Sequence, residues 1–429
     1  MVTGIKLKAI TNLSGKLISK VSALVFLIIL SNAMNVFEMA SVVLCLSLIN
    51  LGAVFSLAGL PRILTRAVAE DTASIDKVHT YRVLWFVFYV CSKRFLAVTV
   101  ATVIMLMSLK IDNLLPVMSL IFGSQLCLIV IRLRMGYLRG EDRQILASFP
   151  ELFIKHPVTI MTFLALSGLN GESEILVTSL LSILIGSGFC VLIILGQFSY
   201  GQIAKLLRNH KTRYVNKIQL SLQEKALNQV AFFSLLQTDI WILQALGNSE
   251  IGTYRISAQI AFFLLTFDEV FGAIFSPRIA RALATEQTEI LNRTITNYAR
   301  IICACSLVTV PCLLMLPNEV HIGSLVYATN FNIQVVIIIA SGILLSQLTG
   351  NPQLVIGLSS QNHKTTKITC TVLFVNVLLG VCLGMLFGEA GVAAATCLSF
   401  ILLRSWFAAR LSDDISYKIN IFKVDSDKK

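Results

Sequence analysis

Polar and apolar positions along this chain sort into long blocks. They show neither the strict alternation of a half-buried strand nor the one-sided stripe of a surface helix. Apolar runs cover 17–33, 39–60, 95–109 (or from nearer Val83), 115–131, 145–169, 175–198, 226–246, 252–276, 301–316, 333–356, 368–387 and 391–407. A helix rises about 1.5 Å per residue, so about 20 apolar residues cross a hydrocarbon layer of about 30 Å. Lipid cannot satisfy backbone N–H and C=O groups, so each block predicts a helix that bonds internally. The expected fold is an all-α polytopic membrane protein with about 12 transmembrane helices. The first run follows Lys6, Lys8, Lys16 and Lys20 and ends in Ser31-Asn32-Ala33, which mimics a signal-peptidase site. A second span begins almost at once, which favours a retained hairpin over a removed leader.

Composition agrees with that pattern and removes several function classes. The 429 residues are 56% hydrophobic and only 14% charged, with a mean hydropathy of +0.79, outside the range of soluble proteins. A net charge of +12 could suggest nucleic acid. The basic residues, however, form no patch beside aromatics, so nucleic acid is not an expected partner. Of the 35 lysines and arginines, all fall in loops on one side except Lys110 and the six inside spans: Lys20, Lys93, Arg94, Lys155, Arg255 and Arg404. The positive-inside bias then places both termini in the cytoplasm.

The longest and most basic loop, 199–225, divides the spans equally. The expected organisation is an N-terminal lobe over 1–198, a cytoplasmic linker over 199–225, a C-terminal lobe over 226–410 and a cytoplasmic tail over 411–429. Pro61-Arg62-Ile63 after the second span is echoed by Pro277-Arg278-Ile279 after the eighth, with Glu70 and Glu286 at the same offset. An even number of spans per half keeps both halves in one orientation, as for repeats related by an axis along the membrane normal.

The candidate chemistry lies in charges inside spans, where each costs about 2.5–3.5 kcal/mol at a helix centre and should face a cavity or a partner. Asp239 and Arg255 flank the turn at Gly247 to Ile251 and are close enough to pair. That pair either holds a hairpin together or tunes a cavity-facing Arg255. Glu151 and Lys155 share one face at i, i+4, with His156 alongside, between Pro150 and Pro157. The two prolines predict a broken helix, and such breaks are tolerated where they face protein or water. Lys93, Arg94, Asp268 and Glu269 sit near the cytoplasmic ends of their spans and either snorkel or latch the lobes; Arg404 is expected to snorkel. Six basic residues against four acids inside spans leave a small excess suited to an anionic substrate.

The ten cysteines lie mostly in apolar runs without CxxC pairing and read as small hydrophobes. No phosphate-binding GxxxxGK[ST] sequence is present, so ATP bound by this chain is not the energy source, and the five histidines have no ligand spacing. No metal or other cofactor is expected. A membrane-embedded glycosyltransferase would need a sizeable outer loop, and the longest here is 318–332. The chain is therefore not expected to be an enzyme.

Three stretches resemble the polysaccharide biosynthesis or O-antigen flippase family, in the superfamily that also holds multidrug and toxic-compound exporters and peptidoglycan-precursor flippases. They are Gln237-x-Asp239 with Leu246-Gly247, Gly252-x-Tyr254 and Ser276-Pro277-Arg278-Ile279-Ala280; Gly59-Leu60-Pro61; and Asn376 with Phe387-Gly388-x-x-Gly391-Val392-Ala393-Ala394-Ala395-Thr396. The resemblance implies two six-helix lobes forming a V around a central cavity. It also implies alternating-access transport of an undecaprenyl-diphosphate-linked oligosaccharide from the cytoplasmic to the outer leaflet of the bacterial inner membrane. A polysaccharide polymerase and a chain-length regulator are the implied partners, with coupling to a proton or sodium gradient. Lys155 is then the expected cation for the diphosphate, and Asp239, Arg255, Glu151, His156, Lys93, Arg94, Asp268 and Glu269 the remaining pathway residues. The chain turns polar after Phe407 and lacks the two further spans typical of peptidoglycan-precursor flippases. A cation-coupled multidrug exporter of the same superfamily is the alternative.

Overall fold

The structure, a computed structural model, describes residues 2–72, 78–108, 114–141, 143–167, 175–195, 226–248, 250–285, 287–315, 319–322, 325–328, 331–358 and 362–415. The chain divides into two compact units, Met1–Ser234 and Leu235–Lys429. The linker 199–225 and the tail beyond 415 lie outside the described residues.

In the first unit the helices are α1 (Val2–Ala33), α2 (Val36–Leu57), α3 (Leu60–Thr72), α4 (Val78–Ser108), α5 (Leu114–Gly140), α6 (Gln144–Phe149), α7 (Lys155–Ser167) and α8 (Ile175–Leu195), followed by α9 (Ala226–Leu235). A capping box starts α2: the Asn35 side chain accepts from the Glu38 amide, and the Glu38 carboxylate accepts from the Asn35 amide. α2 stops at Gly59, whose φ of 79° suits a residue without Cβ. Pro61 then opens α3, where its missing N–H costs nothing. Two polar groups serve the break: Arg94 Nη1 donates to Ala58 O at 2.8 Å, and Gln229 Oε1 accepts from the Gly59 amide at 3.1 Å. α5 runs close along α3 because Gly136 presents no side chain; a Cβ there would sit 2.7 Å from Pro61 O.

The second unit contains α10 (Thr238–Ala245), α11 (Ile251–Phe262), α12 (Leu265–Ala284), α13 (Thr288–Leu314), α14 (Ile333–Gln347), α15 (Pro352–Leu358) and α16 (Asn362–Ile415). Gly388, at φ 60° and ψ −134°, breaks α16 into two antiparallel-capable halves. Asn376 Nδ2 donates to Ser399 Oγ at 2.9 Å and ties those halves together. The all-α expectation has one departure among the described residues. A four-residue hairpin, β1 (Glu319–Ile322) and β2 (Leu325–Ala328), pairs antiparallel with Glu319 opposite Ala328.

Among the described residues, eight helical stretches are long and apolar enough to cross a membrane. One of these stretches, Thr365–Leu411, holds two predicted spans because Gly388 interrupts it. The other predicted spans are shorter or broken: 145–169 at a turn before Lys155, 226–246 at 236–237, and 333–356 after Gln347. Apart from that one strand pair, the chain is a helical, multi-pass membrane protein. Large apolar side chains lie on outward faces, Leu115 (80% exposed) and Met315 (82%) among them, as helices solvated by acyl chains require. The repeated Pro-Arg-Ile is not repeated structurally. Pro61 starts a helix after a glycine break, whereas Pro277 lies within the continuous α12. Glu286 lies outside the described residues.

Candidate functional site

Three polar constellations interrupt the apolar packing, one in the first unit and two in the second. The first is built on the broken helix predicted from its prolines. Between α6 and α7 the backbone opens into a π turn, Pro150–Ile154, and the Lys155 amide donates to Pro150 O five residues back. The cause is local. Pro157 has no N–H, and its ring would clash with the carbonyl four residues earlier in a regular helix; a widened turn moves that carbonyl aside. Pro150 O also accepts from Cys190 Sγ of α8 at 3.2 Å. Gly186 allows this approach, since a Cβ there would come within 2.2 Å of Thr159 Oγ1 and 2.9 Å of Lys155 O.

The π turn carries Glu151 among cations. Arg132 Nε of α5 lies 3.9 Å from Glu151 Oε1, and both side chains are about a quarter exposed. Arg139, one turn pair further along α5, and Lys155 both interact electrostatically with Glu151. Lys20 of α1 and Lys155 act in the same way on His156. Three cations, Arg132, Arg139 and Lys155, therefore act on the Glu151 carboxylate, and a fourth, Lys20, lies beside the neighbouring His156. Although Glu151 and Lys155 share a face in the sequence, they form no ion pair: the ion pair to Glu151 comes from Arg132, and Lys155 has no carboxylate within 4.0 Å among the described residues. The reason is the π turn, which rotates the i, i+4 relation out of register. Sequence reading missed Arg132 and Arg139 because both were counted as loop residues. Their seven-residue spacing, which puts them on one helical face, was the available signal.

In the second unit Asp239 is 1% exposed at the start of α10. The anticipated direct pair with Arg255 is replaced by another partner. Tyr254 Oη donates to Asp239 Oδ2 at 3.0 Å, and the Ile240 amide donates to Oδ1 at 2.9 Å. Arg255 stays within electrostatic range of Asp239, but its buried Nη1 finds no hydrogen-bond partner among the described residues. Tyr254 precedes Arg255 on α11, and a helix separates adjacent residues by about 100°, so only one of them can point at Asp239.

The third constellation corrects the snorkelling expectation for Asp268 and Arg404. Asp268 of α12 is 6% exposed, and Arg404 Nη2 donates directly to its Oδ2. Tyr298 Oη donates to Asp268 Oδ1 at 3.2 Å, and Gln347 Nε2 donates to Oδ2 at 3.4 Å. Asn351 Nδ2 donates to Tyr298 Oη at 3.1 Å, and Arg404 Nη1 to Gly350 O at 3.1 Å, where α14 ends. This is an internal fastener of four elements, because a buried charge persists only when paired and hydrogen-bonded. Glu269, its neighbour in sequence, is exposed. Arg94 caps the carbonyl end of α2, where a cation meets the negative end of the helix dipole. Lys93 is exposed and stacks over the Tyr89 ring, 4.5 Å from its centroid.

All ten cysteines are free. Among the described residues no group of three or more His, Cys, Asp or Glu side chains is placed to hold a metal.

Searches with known protein families find no matching family model, and no curated protein matches. Solved structures do match over almost the whole chain. The inward-facing conformation of a multidrug resistance MATE family transporter of the MOP superfamily gives a TM-score of 0.66 at 13% identity, covering 95% of this chain and 98% of that one. A MATE in the straight conformation gives 0.68 at 12% identity, covering 96% and 95%. A MATE in complex with Br-NRF gives 0.65 at 14%, also covering 96% and 95%. At these identities the likeness establishes the fold: this chain has the MATE transporter fold.

Proposed function

We propose that this chain is a transporter of that superfamily and, within it, a flippase. Its substrate would be an oligosaccharide on undecaprenyl diphosphate, moved by alternating access from the cytoplasmic to the outer leaflet of a bacterial inner membrane for surface polysaccharide synthesis. The observation that carries this reading is the set of Arg132, Arg139 and Lys155 around the single carboxylate of Glu151, with Lys20 beside the adjoining His156. A diphosphate brings anionic oxygens that guanidinium groups bind in a bidentate fashion and an ammonium binds as a point charge. Glu151 would hold the cations in place until phosphate displaces it from Arg132. Arg255, with a buried guanidinium nitrogen free to donate, is the corresponding cation of the second unit. The protein would make and break no covalent bond, and a polymerase and chain-length regulator would take up its product.

The test is loss of function without loss of protein. K155A, R132A and R255A should each abolish surface polysaccharide while membrane levels of the protein stay normal. Normal glycan in all three would overturn the reading. Both termini would be cytoplasmic; reporter fusions at Gly171, Ser249 and Lys429 check this, and a cytoplasmic signal at either of the first two would contradict it.

A second reading, cation-coupled export of small molecules, is favoured by Asp239. This carboxylate is 1% exposed and has no basic side chain at ion-pair distance among the described residues, which suits a residue that takes up a proton or sodium ion as its driving step. The multidrug label of the first structural neighbour points the same way. Deletion would then cause drug sensitivity with polysaccharide unchanged.

A further inference from the structure

A second polar recess lies at the opposite end of the second unit from the Asp268 fastener, and neither reading of transport uses it. Three separate breaks in the helices converge there. The first is the turn between α10 and α11, where Gly247 has φ 71° and the Asn248 side-chain oxygen accepts from the Glu250 amide at 2.7 Å. The second is the start of α14, where Asn332 Oδ1 caps the helix by accepting from the Gln334 amide at 3.0 Å. The third is the Gly388 break of α16. Together they line an open recess of about 360 Å³, formed by Asn248, Glu250, Asn332, Gln334, Phe387, Glu389 and Ala390. None of these residues is basic.

Glu389 is the reason to expect a ligand. It is 7% exposed, so more than nine-tenths of it is buried. Its Oε2 accepts from the Asn332 amide at 3.5 Å, and, the Glu250 carboxyl aside, its buried Oε1 has no hydrogen-bond partner among the described residues. The carboxyl of Glu250 lies against it from the neighbouring turn. Two carboxylates facing each other repel, and a buried oxygen without a hydrogen-bond donor is destabilising. A fold that keeps both groups in contact is stabilised by a positive charge between them. No side chain in the cavity lining supplies one.

We propose that this recess is a binding site for a hard divalent cation such as Ca²⁺, held by the Glu250 carboxylate, Glu389 Oε1 and the Gln334 side-chain carbonyl. The oxygen-only donor set excludes a preference for soft metals. Ca²⁺ takes about 6–8 oxygens, and the cavity has room for the waters that complete its shell. With two carboxylates, one of them on an exposed turn, the affinity should resemble that of extracellular Ca²⁺ modules, about 10⁻⁴ to 10⁻³ M. Bound metal would clip the α10–α11 turn to the start of α14 and the middle of α16.

The full chain, purified in detergent and stripped with chelator, tests this by Ca²⁺ calorimetry and by thermal unfolding in CaCl₂ against NaCl of matched ionic strength. The expected result is one Ca²⁺ per chain, a saturable rise in Tm, and at least about a tenfold weaker affinity in E389Q and E250Q. E389Q replaces a buried charge by a neutral isostere and keeps the fold; Q334A provides a milder, exposed variant with a smaller expected loss. No saturable calcium effect, or an undiminished one in E389Q, would overturn the proposal. A Tm that responds to pH but not to Ca²⁺, and loses that response in E250Q, would overturn it in favour of a proton shared by the two carboxyls.

Discussion

Replacing Arg404 by methionine tests whether the charges near the ends of the second unit's helices are fasteners or snorkelling side chains. In the structure Arg404 and Asp268 are 11% and 8% exposed, and the guanidinium serves both Asp268 and the carbonyl of Gly350. Methionine matches the aliphatic stem but leaves Asp268 charged and buried. Tyr298 and Gln347 remain as its donors, at 3.2 Å and 3.4 Å, the second too long to compensate. Breaking a buried ion pair from one side costs about 3–5 kcal/mol. Removing both charges leaves no orphan, so D268L/R404M should lose only about 1–2 kcal/mol, mainly the hydrogen bonds stranded at Tyr298 and Gly350. With D268L as the second single change, which leaves Arg404 buried without its carboxylate, the double variant falls short of the sum of the two singles by a coupling energy of at least about 2 kcal/mol. Denaturing-detergent unfolding of the purified variants, with membrane expression alongside, measures it. If R404M lies within about 1 kcal/mol of the parent protein, or the two single changes add, the pair contributes no net fastening and Arg404 behaves as a snorkelling residue would.

Two further outcomes follow from helix contacts. G186V should lower Tm through overpacking worth about 1–3 kcal/mol, because the new side chain meets Thr159 Oγ1 and the Lys155 carbonyl; adding T159A should restore part of the loss, and no rescue would mean the helices are not held at that point. G388A should cost at least about 1 kcal/mol although nothing lies within 4 Å of its Cβ, since the strain is in the positive φ itself; an unchanged Tm would refute the break at that residue.

The membrane class, the helical blocks and the break in the span 145–169 were legible because each rests on a local cause. Lipid demands length and apolarity, and proline removes a donor whatever its surroundings. The facing of charges was not legible in the same way. Asp239 was expected to meet Arg255 and meets Tyr254, since a one-residue step turns a helical side chain by about 100°. Glu151 stands i, i+4 from Lys155 in the sequence yet pairs with Arg132, since a single π turn shifts the register beyond it. Glu389 drew no attention in the sequence, where it sits in a short turn, and only the approach of Glu250 gives it a role.

The sequence by itself determined that this is a multi-pass helical membrane protein, roughly where each span lies, and that its charged residues inside spans must be paired or functional. Those conclusions need only hydrophobicity, backbone hydrogen bonding and the cost of burying charge. Which charge answers which depends on helix rotation, on turns that shift register, and on elements up to 136 residues apart, as for Asp268 and Arg404. Contacts at that separation leave no periodic trace in the chain, so the tertiary structure alone decided them.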